Sequence, residues 1–173
     1  GRLMPDMPSR RSSDALFFIG LLALLTPLSI LVTGYGVYLE NHAMQIPLVQ
    51  MLNAPGEYYA ADPFAMSLLK YGALVWHVVA WLVRHFDFHV TMGALFILDR
   101  ILALAAVGCL AWVLAPGSRL AMAAAMCFLA TKPDPLVGGG TILEKIFEHT
   151  TLSVALFVFA FAAVIARKRW GCA

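Results

Sequence analysis

The stretch YLENHAMQIPLV, residues 38–49, contains the abrupt end of the first long apolar run of the chain. That run, residues 15–39, has about 25 residues and no charge. A helix of about 20 apolar residues is long enough to cross a hydrocarbon core about 30 Å thick. We therefore expect a membrane helix that ends at Glu40, with Asn41 and His42 at the boundary with water.

Composition is typical of an integral membrane protein. Of the 173 residues, 61% are hydrophobic and 13% are charged, whereas soluble domains contain about 45–50% apolar residues. The mean hydropathy is +0.81. The net charge is +2 and the basic residues form short clusters beside apolar runs, so the lipid bilayer is an expected partner and nucleic acid is not. The length predicts a single membrane domain, residues 1–173.

The apolar runs predict an all-α membrane fold with four transmembrane helices. The spans cover about residues 15–39, 90–115, 119–137 and 150–166. Arg10 and Arg11 precede the first span, so the positive-inside rule predicts a cytoplasmic N-terminus. Arg119 is then expected on that same cytoplasmic side. The two external segments of this multi-pass arrangement are residues 40–89 and 138–149.

Residues 64–83 allow two interpretations. They are nearly long enough to span a membrane, but they contain Lys70, Trp76 and Trp81. This composition suits an interfacial helix within the long first external loop. A fifth span is the alternative, and it would put the basic cluster at residues 167–169 outside, against the positive-inside rule.

Residues 40–63 have the composition of an ordered external loop. They contain Pro47 and the sequence NAPG at residues 53–56. Proline and glycine in such clusters are typical of turns. The composition favours an ordered loop and not a flexible linker.

Glu40 is the first candidate for chemistry. One interpretation is a solvated carboxylate at a helix end. The other is a general base or metal-binding carboxylate, because a partly shielded rim raises the pKa of a carboxyl group toward working pH. In the second case Asn41 and His42 are placed to orient hydroxyl or phosphate groups of a substrate.

Glu144, Glu148 and His149 form a second candidate cluster. TILE, residues 141–144, has the pattern of a capping box and predicts that a helix begins there. The preceding glycines, residues 138–140, and the helix N-terminus would suit an anionic group such as phosphate. The alternative is a charged first turn exposed to water, where acids are favoured by the helix dipole.

Four other side chains suggest weaker hypotheses. Asp99 and Arg100 lie inside a predicted span, where an ionisable residue is a functional hypothesis by default. An ion pair of Asp99 with Lys70 or Arg84 of the first external segment is the structural alternative. His85 and His89 have the spacing of a helical metal pair, and solvated interfacial histidines are the alternative.

The order of these features resembles the N-terminal half of the GT-C class of membrane glycosyltransferases. The resemblance is to a poorly characterised bacterial group, and it covers roughly residues 34–169. It is based on three stretches: GYGVYLENHAMQIPLVQMLNAPGEYYAADPF at 34–64, LFILDRILAL at 95–104 and PLVGGGTILEKIFEHTTLSVALFVFAFA at 135–162.

The resemblance implies an enzyme that uses a polyprenyl-phosphate-linked sugar on the outer face of a bacterial inner membrane. It implies that Glu40 is the catalytic base or a metal ligand, with a divalent cation as the candidate cofactor. The substrate-binding residues that it implies are Asn41, His42, Glu144, Glu148 and His149. Many members have a second acid where this chain has Asn41, and full-length members have more spans, so the chain resembles a reduced or truncated version.

A non-enzymatic role is the competing hypothesis. Small residues at 121–125 and 162–163 would let the apolar helices pack closely against partner helices. The chain would then be a small subunit of a bacterial respiratory or photosynthetic membrane complex, with other membrane subunits as its partners.

Overall fold

The computed structural model describes residues 8–36, 42–54, 56–57, 59, 61–70, 74–131, 147 and 149–171. All regular secondary structure in these ranges is helical. The helices are α1 (Pro8–Thr33), α2 (His42–Asn53), α3 (Pro63–Leu68), α4 (Leu74–His85), α5 (Phe88–Leu114), α6 (Arg119–Thr131) and α7 (His149–Gly171). The all-α prediction agrees with this architecture.

Within the described ranges, three helices are long and apolar enough to cross a membrane. The qualifying segments are Ser12–Thr33 in α1, Phe88–Leu114 in α5 and Thr150–Arg167 in α7. They indicate a membrane-embedded protein. Helix α6 has 13 residues, which at 1.5 Å per residue gives about 20 Å, less than the core of a bilayer. The predicted fourth span at 119–137 is therefore not established, and its last residues lie outside the described ranges.

Helix α1 ends earlier than predicted. Its last residue is Thr33, although the apolar run continues to residue 39. Gly34 has φ of +80° and its N–H donates to the Ile30 carbonyl at 2.7 Å. A glycine in the left-handed conformation directly after a helix is a common helix terminator, because it avoids a Cβ clash there. The left-handed conformation of Gly34 therefore ends α1, although the sequence stays apolar beyond it.

The chain divides into two compact units, each built from separated stretches. Unit 1 consists of Gly1–Gly34, Leu98–Glu144 and Thr150–Ala173. Unit 2 consists of Tyr35–Ile97 and Lys145–His149. Unit 2 therefore combines the whole range of the first predicted external segment, residues 40–89, with the end of the second.

In unit 1, helices α1 and α6 run in the same direction. Arg119, at the start of α6, donates through Nε to Asp14 Oδ1 at 2.8 Å and through Nη2 to Ser13 Oγ at 2.7 Å. A buried cluster further along the helices joins α1, α5 and α6: Leu25, Ala103, Leu104, Met122, Met126, Leu129 and Ala130. Arg119 thus lies at the same end of unit 1 as the first turns of α1, as the positive-inside interpretation requires.

Two predictions for the first external segment are wrong. Residues 42–53 form helix α2, with Pro47 inside it, where a loop was expected. Residues 64–83 do not form one interfacial helix or a fifth span, because α3 ends at Leu68 and α4 begins at Leu74. At 12 residues, α4 is too short to cross a bilayer.

Candidate functional site

Helices α2 and α4 form the centre of unit 2. Helix α4 buries Trp76, Val79 and Ala80. These positions are three and four residues apart, so they lie on one face of the helix. Helix α2 contributes a buried apolar set of its own: Leu48, Val49 and Met51. Burial of these side chains stabilises α2 despite its internal proline.

Arg84 joins the ends of the two helices. Its Nε donates to Asn53 Oδ1 at 2.7 Å, and its Nη2 donates to the Leu52 carbonyl at 2.8 Å. Leu52 lies in the last turn of α2, where carbonyls have no partner within the helix and where the helix dipole favours a cation. Arg84 therefore caps α2 and fixes the orientation of the Asn53 amide.

Phe147 is the described residue that brings the second polar segment into unit 2. Its ring meets Trp76 edge to face, with centroids 6.0 Å apart and planes at 72°. Trp76 is 1% exposed and Phe147 is 2% exposed. Contacts of this geometry are favourable, because the positive edge of one ring faces the negative face of the other. Trp76 is therefore a core residue, although its presence in the sequence favours an interfacial helix. Trp81, at 55% exposure, is on the surface.

Tyr35 is a described residue five positions before Glu40, the predicted catalytic residue. Its ring lies 4.7 Å from that of Phe96, centroid to centroid, at an interplanar angle of 45°. Partial burial raises the pKa of the Tyr35 hydroxyl above its ordinary value. Residues on either side of the predicted site, Tyr35 and Phe147, thus both belong to unit 2.

The predicted site residues themselves lie outside the described side chains. Glu40, Asn41, Glu144 and Glu148 are outside the described ranges. His42 and His149 are the first residues of α2 and α7, and their side chains are not described. Phe147 is not helical and α7 begins at His149, so the prediction of one continuous helix from residue 141 is wrong.

The two histidines proposed as a metal pair do not share a helix. Helix α4 ends at His85, and α5 begins at Phe88. The His85 ring contacts Trp81, whereas the His89 ring contacts Phe88. Within the described ranges, no group of three or more His, Cys, Asp or Glu side chains is arranged to hold a metal ion.

Asp99 and Arg100 are buried in α5, with exposures of 5% and 1%. Both therefore lie inside the protein and not on the lipid-facing surface. Arg84, which was one candidate partner for Asp99, donates hydrogen bonds from its Nε and Nη2 to residues of α2. Burial of these two charges agrees with the expectation that intramembrane ionisable residues face the protein interior.

A cleft of about 450 Å³ lies in unit 2 between α2, the end of α4 and the start of α5. Its polar lining residues are Gln50, Asn53, Asp87 and His89. Sequence analysis did not find this cleft, because residues 40–63 were assigned to a loop. On a helix, Ile46, Val49, Gln50 and Asn53 share one face, and that spacing is the signal that would have identified it.

Comparisons of the chain with protein-family models, curated protein sequences and solved structures find no match. Its function is therefore inferred from its own residues and their arrangement.

Proposed function

We propose that the chain is a GT-C-like membrane module that acts on a sugar linked to polyprenyl phosphate, on the outer face of a bacterial inner membrane. The observation that supports this proposal is the contact between Trp76 and Phe147. Phe147 directly precedes Glu148 in the sequence, and Trp76 belongs to the segment that follows Glu40. Both belong to unit 2.

This contact matters because the two candidate acids are distant in sequence. A transfer reaction needs the base, the acceptor and the phosphate of the donor to be held together. Unit 2 combines the segments next to Glu40 and next to Glu148, which is the arrangement that such a site requires.

The proposed chemistry follows from the residue types. Glu40 accepts the proton of an acceptor hydroxyl as that oxygen bonds to the anomeric carbon of the sugar. The bond from that carbon to the polyprenyl phosphate breaks, and the phosphate leaves with the bonding electrons. His42 and His149 bind the negative phosphate through hydrogen bonds from their ring N–H groups.

The test is transfer by the purified protein in lipid nanodiscs, with a panel of radiolabelled polyprenyl-phosphate sugars and short acceptor glycans. We expect release of polyprenyl phosphate with the wild-type chain and none with Glu40→Gln. Glu57→Gln is the matched control, because Glu57 is an exposed acid of the same unit. Full turnover in Glu40→Gln would contradict the assigned role.

One observation favours a second candidate, a non-enzymatic subunit. In both α1 and α7, only 17% of the apolar window is buried within this chain. The apolar surfaces of α1 and α7 that this chain leaves exposed contact either lipid or the helices of another subunit. Cross-linking in native membranes separates the two functions. Recovery of a partner in fixed stoichiometry, together with no sugar transfer by the assembled complex, would support the subunit hypothesis and not the enzyme hypothesis.

A further inference from the structure

A cavity of about 530 Å³ lies in unit 1 between α1, α5 and the start of α6. The residues that line it include Asp14, Ala15 and Phe18 of α1, Cys109 and Trp112 of α5, and Met122 of α6. Those of α1 belong to the first two turns of the span Ser12–Thr33, and those of α5 belong to the last two turns of Phe88–Leu114. The cavity therefore lies near one surface of the bilayer that these helices cross.

The wall of this cavity changes from charged to apolar along α1. Asp14 is a charged lining residue near the start of the span, and Phe18 lies one turn further along on the same face of the helix. Met122 adds apolar surface from α6. Trp112 lies in the last turn of α5, and tryptophan is common at the level of lipid headgroups. A phospholipid has the same order of groups, with a charged headgroup next to an acyl chain.

Arg119 supplies a cation at the charged end of the cavity. Its Nε donates to Asp14 Oδ1 at 2.8 Å, and its Nη2 donates to Ser13 Oγ at 2.7 Å. Its guanidinium carbon lies 5.4 Å from the centroid of the Phe17 ring, a cation–π distance. These contacts use Nε and Nη2, which leaves the N–H groups of Nη1 as donors on a side chain that is 42% exposed. Phosphate oxygens are strong acceptors for such donors.

The charge balance at this end of unit 1 favours an anion. Arg119 pairs with Asp14, and the sequence adds Arg10 and Arg11 in the first turn of α1. Arg10 and Arg11 come four and three positions before Asp14, so they share one face of the helix with it. Basic residues next to membrane helices attract anionic lipids, and basic pockets between such helices bind their headgroups.

We propose that this cavity binds an acyl chain of an anionic phospholipid, whose phosphate accepts hydrogen bonds from Arg119. A volume of about 530 Å³ is within the usual range for small-ligand sites, roughly 300–1,000 Å³. None of the residues that support this inference has a role in the proposed sugar transfer, so the lipid site does not depend on the proposed function.

The test is lipid binding to the delipidated full chain in a neutral detergent, measured by native mass spectrometry. The probes are dioctanoyl phosphatidylglycerol, which is anionic, and dioctanoyl phosphatidylcholine, which is zwitterionic. We expect one phosphatidylglycerol to bind about ten-fold more tightly, because each nearby arginine favours a negative headgroup. Arg119→Gln should weaken that binding about ten-fold through loss of charge-assisted hydrogen bonds. Arg167→Gln is the matched control and should change nothing, because Arg167 is an exposed arginine of α7 that does not line the cavity.

A second pair of variants tests the acyl chain. Ala15 is exposed and lines the cavity, so Ala15→Phe should fill the cavity and abolish binding of phosphatidylglycerol. Leu16→Phe is the control, because Leu16 is 68% exposed and does not line the cavity. It should bind as the wild type does. Equal effects of the two substitutions would overturn the proposal.

Alkylation of Cys109 locates the lipid without a change in the cavity wall. In a chain with Cys127→Ser and Cys172→Ser, phosphatidylglycerol should slow the reaction of Cys109 with N-ethylmaleimide, because Cys109 lines the cavity. An alkylation rate that the lipid does not change would overturn the proposal. Equal binding of the two lipids, or unchanged binding in Arg119→Gln, would also overturn it. The exposed Arg119 ion pair contributes little to folding, so Arg119→Gln should keep the unfolding temperature of the delipidated wild type within a few degrees.

Discussion

The rings of Trp76 and Phe147 meet edge to face with their centroids 6.0 Å apart, although the two residues lie 71 positions apart in the sequence. Both rings are almost completely buried. The contact brings the short segment before α7 into the unit formed by α2 and α4. Any common function of the two predicted polar segments depends on this contact.

Removal of the Phe147 ring should therefore destabilise unit 2. We expect Phe147→Ala to lower the free energy of unfolding by about 3–5 kcal/mol, because it deletes a buried ring and leaves a cavity. Phe147→Leu should cost less, since it retains most of the volume. Equilibrium unfolding in mixed micelles measures both values.

The control for this change is Phe157→Ala. Phe157 lies on α7 and is 72% exposed, so its ring makes few contacts within the chain. We expect a change of roughly 0.5 kcal/mol or less. Equal effects of the two substitutions would show that the Trp76 contact does not stabilise the fold.

The ion pair between Arg119 and Asp14 should contribute little to stability. The atoms approach to 2.7 Å, but the Arg119 side chain is 42% exposed and water screens the pair. A double-mutant cycle with Arg119→Gln and Asp14→Asn should give a coupling of about 0.2–1 kcal/mol that falls with added salt. A coupling that salt does not change would contradict this account.

A larger side chain at Gly108 should destabilise the protein. A Cβ at this position would lie 2.7 Å from Phe18 Cε2 and 2.8 Å from Met126 Sδ, and Met126 is fully buried. We expect Gly108→Ala to cost about 1–3 kcal/mol through overpacking. Gly20→Ala in α1 is the opposite case, because nothing lies within 4 Å of its added Cβ. It should stabilise the helix by about 0.5–1 kcal/mol, and thermal unfolding of both variants gives the comparison.

Sequence analysis located the long helices well because their limits are local. The predicted span 90–115 corresponds to Phe88–Leu114, and 150–166 corresponds to Thr150–Arg167. In both cases, polar or turn-forming residues flank the apolar run. The end of α1 was predicted too late, since the conformation of Gly34 overrides hydrophobicity there.

Features that depend on distant contacts could not be predicted in the same way. A proline inside a helix removes one backbone hydrogen bond. The presence of Pro47 therefore favoured a loop over a helix in the sequence. Burial of Leu48, Val49 and Met51 outweighs that loss. The buried Gln50 carbonyl and the Trp76 contact with Phe147 arise only when helices pack together. The residues Glu40 and Glu148 remain predictions, because both lie outside the described ranges.

The account requires that the segments around Glu40 and Glu148 face the same side of the membrane, opposite to Arg119. Single cysteines introduced by Glu40→Cys, Glu148→Cys and Ser118→Cys, in a chain without its native cysteines, test this with a membrane-impermeant maleimide. We expect Glu40→Cys and Glu148→Cys to be labelled from outside intact cells, and Ser118→Cys only after the membrane is opened. Labelling of Glu40→Cys and Glu148→Cys from opposite sides would contradict the common site and the enzyme proposed for it.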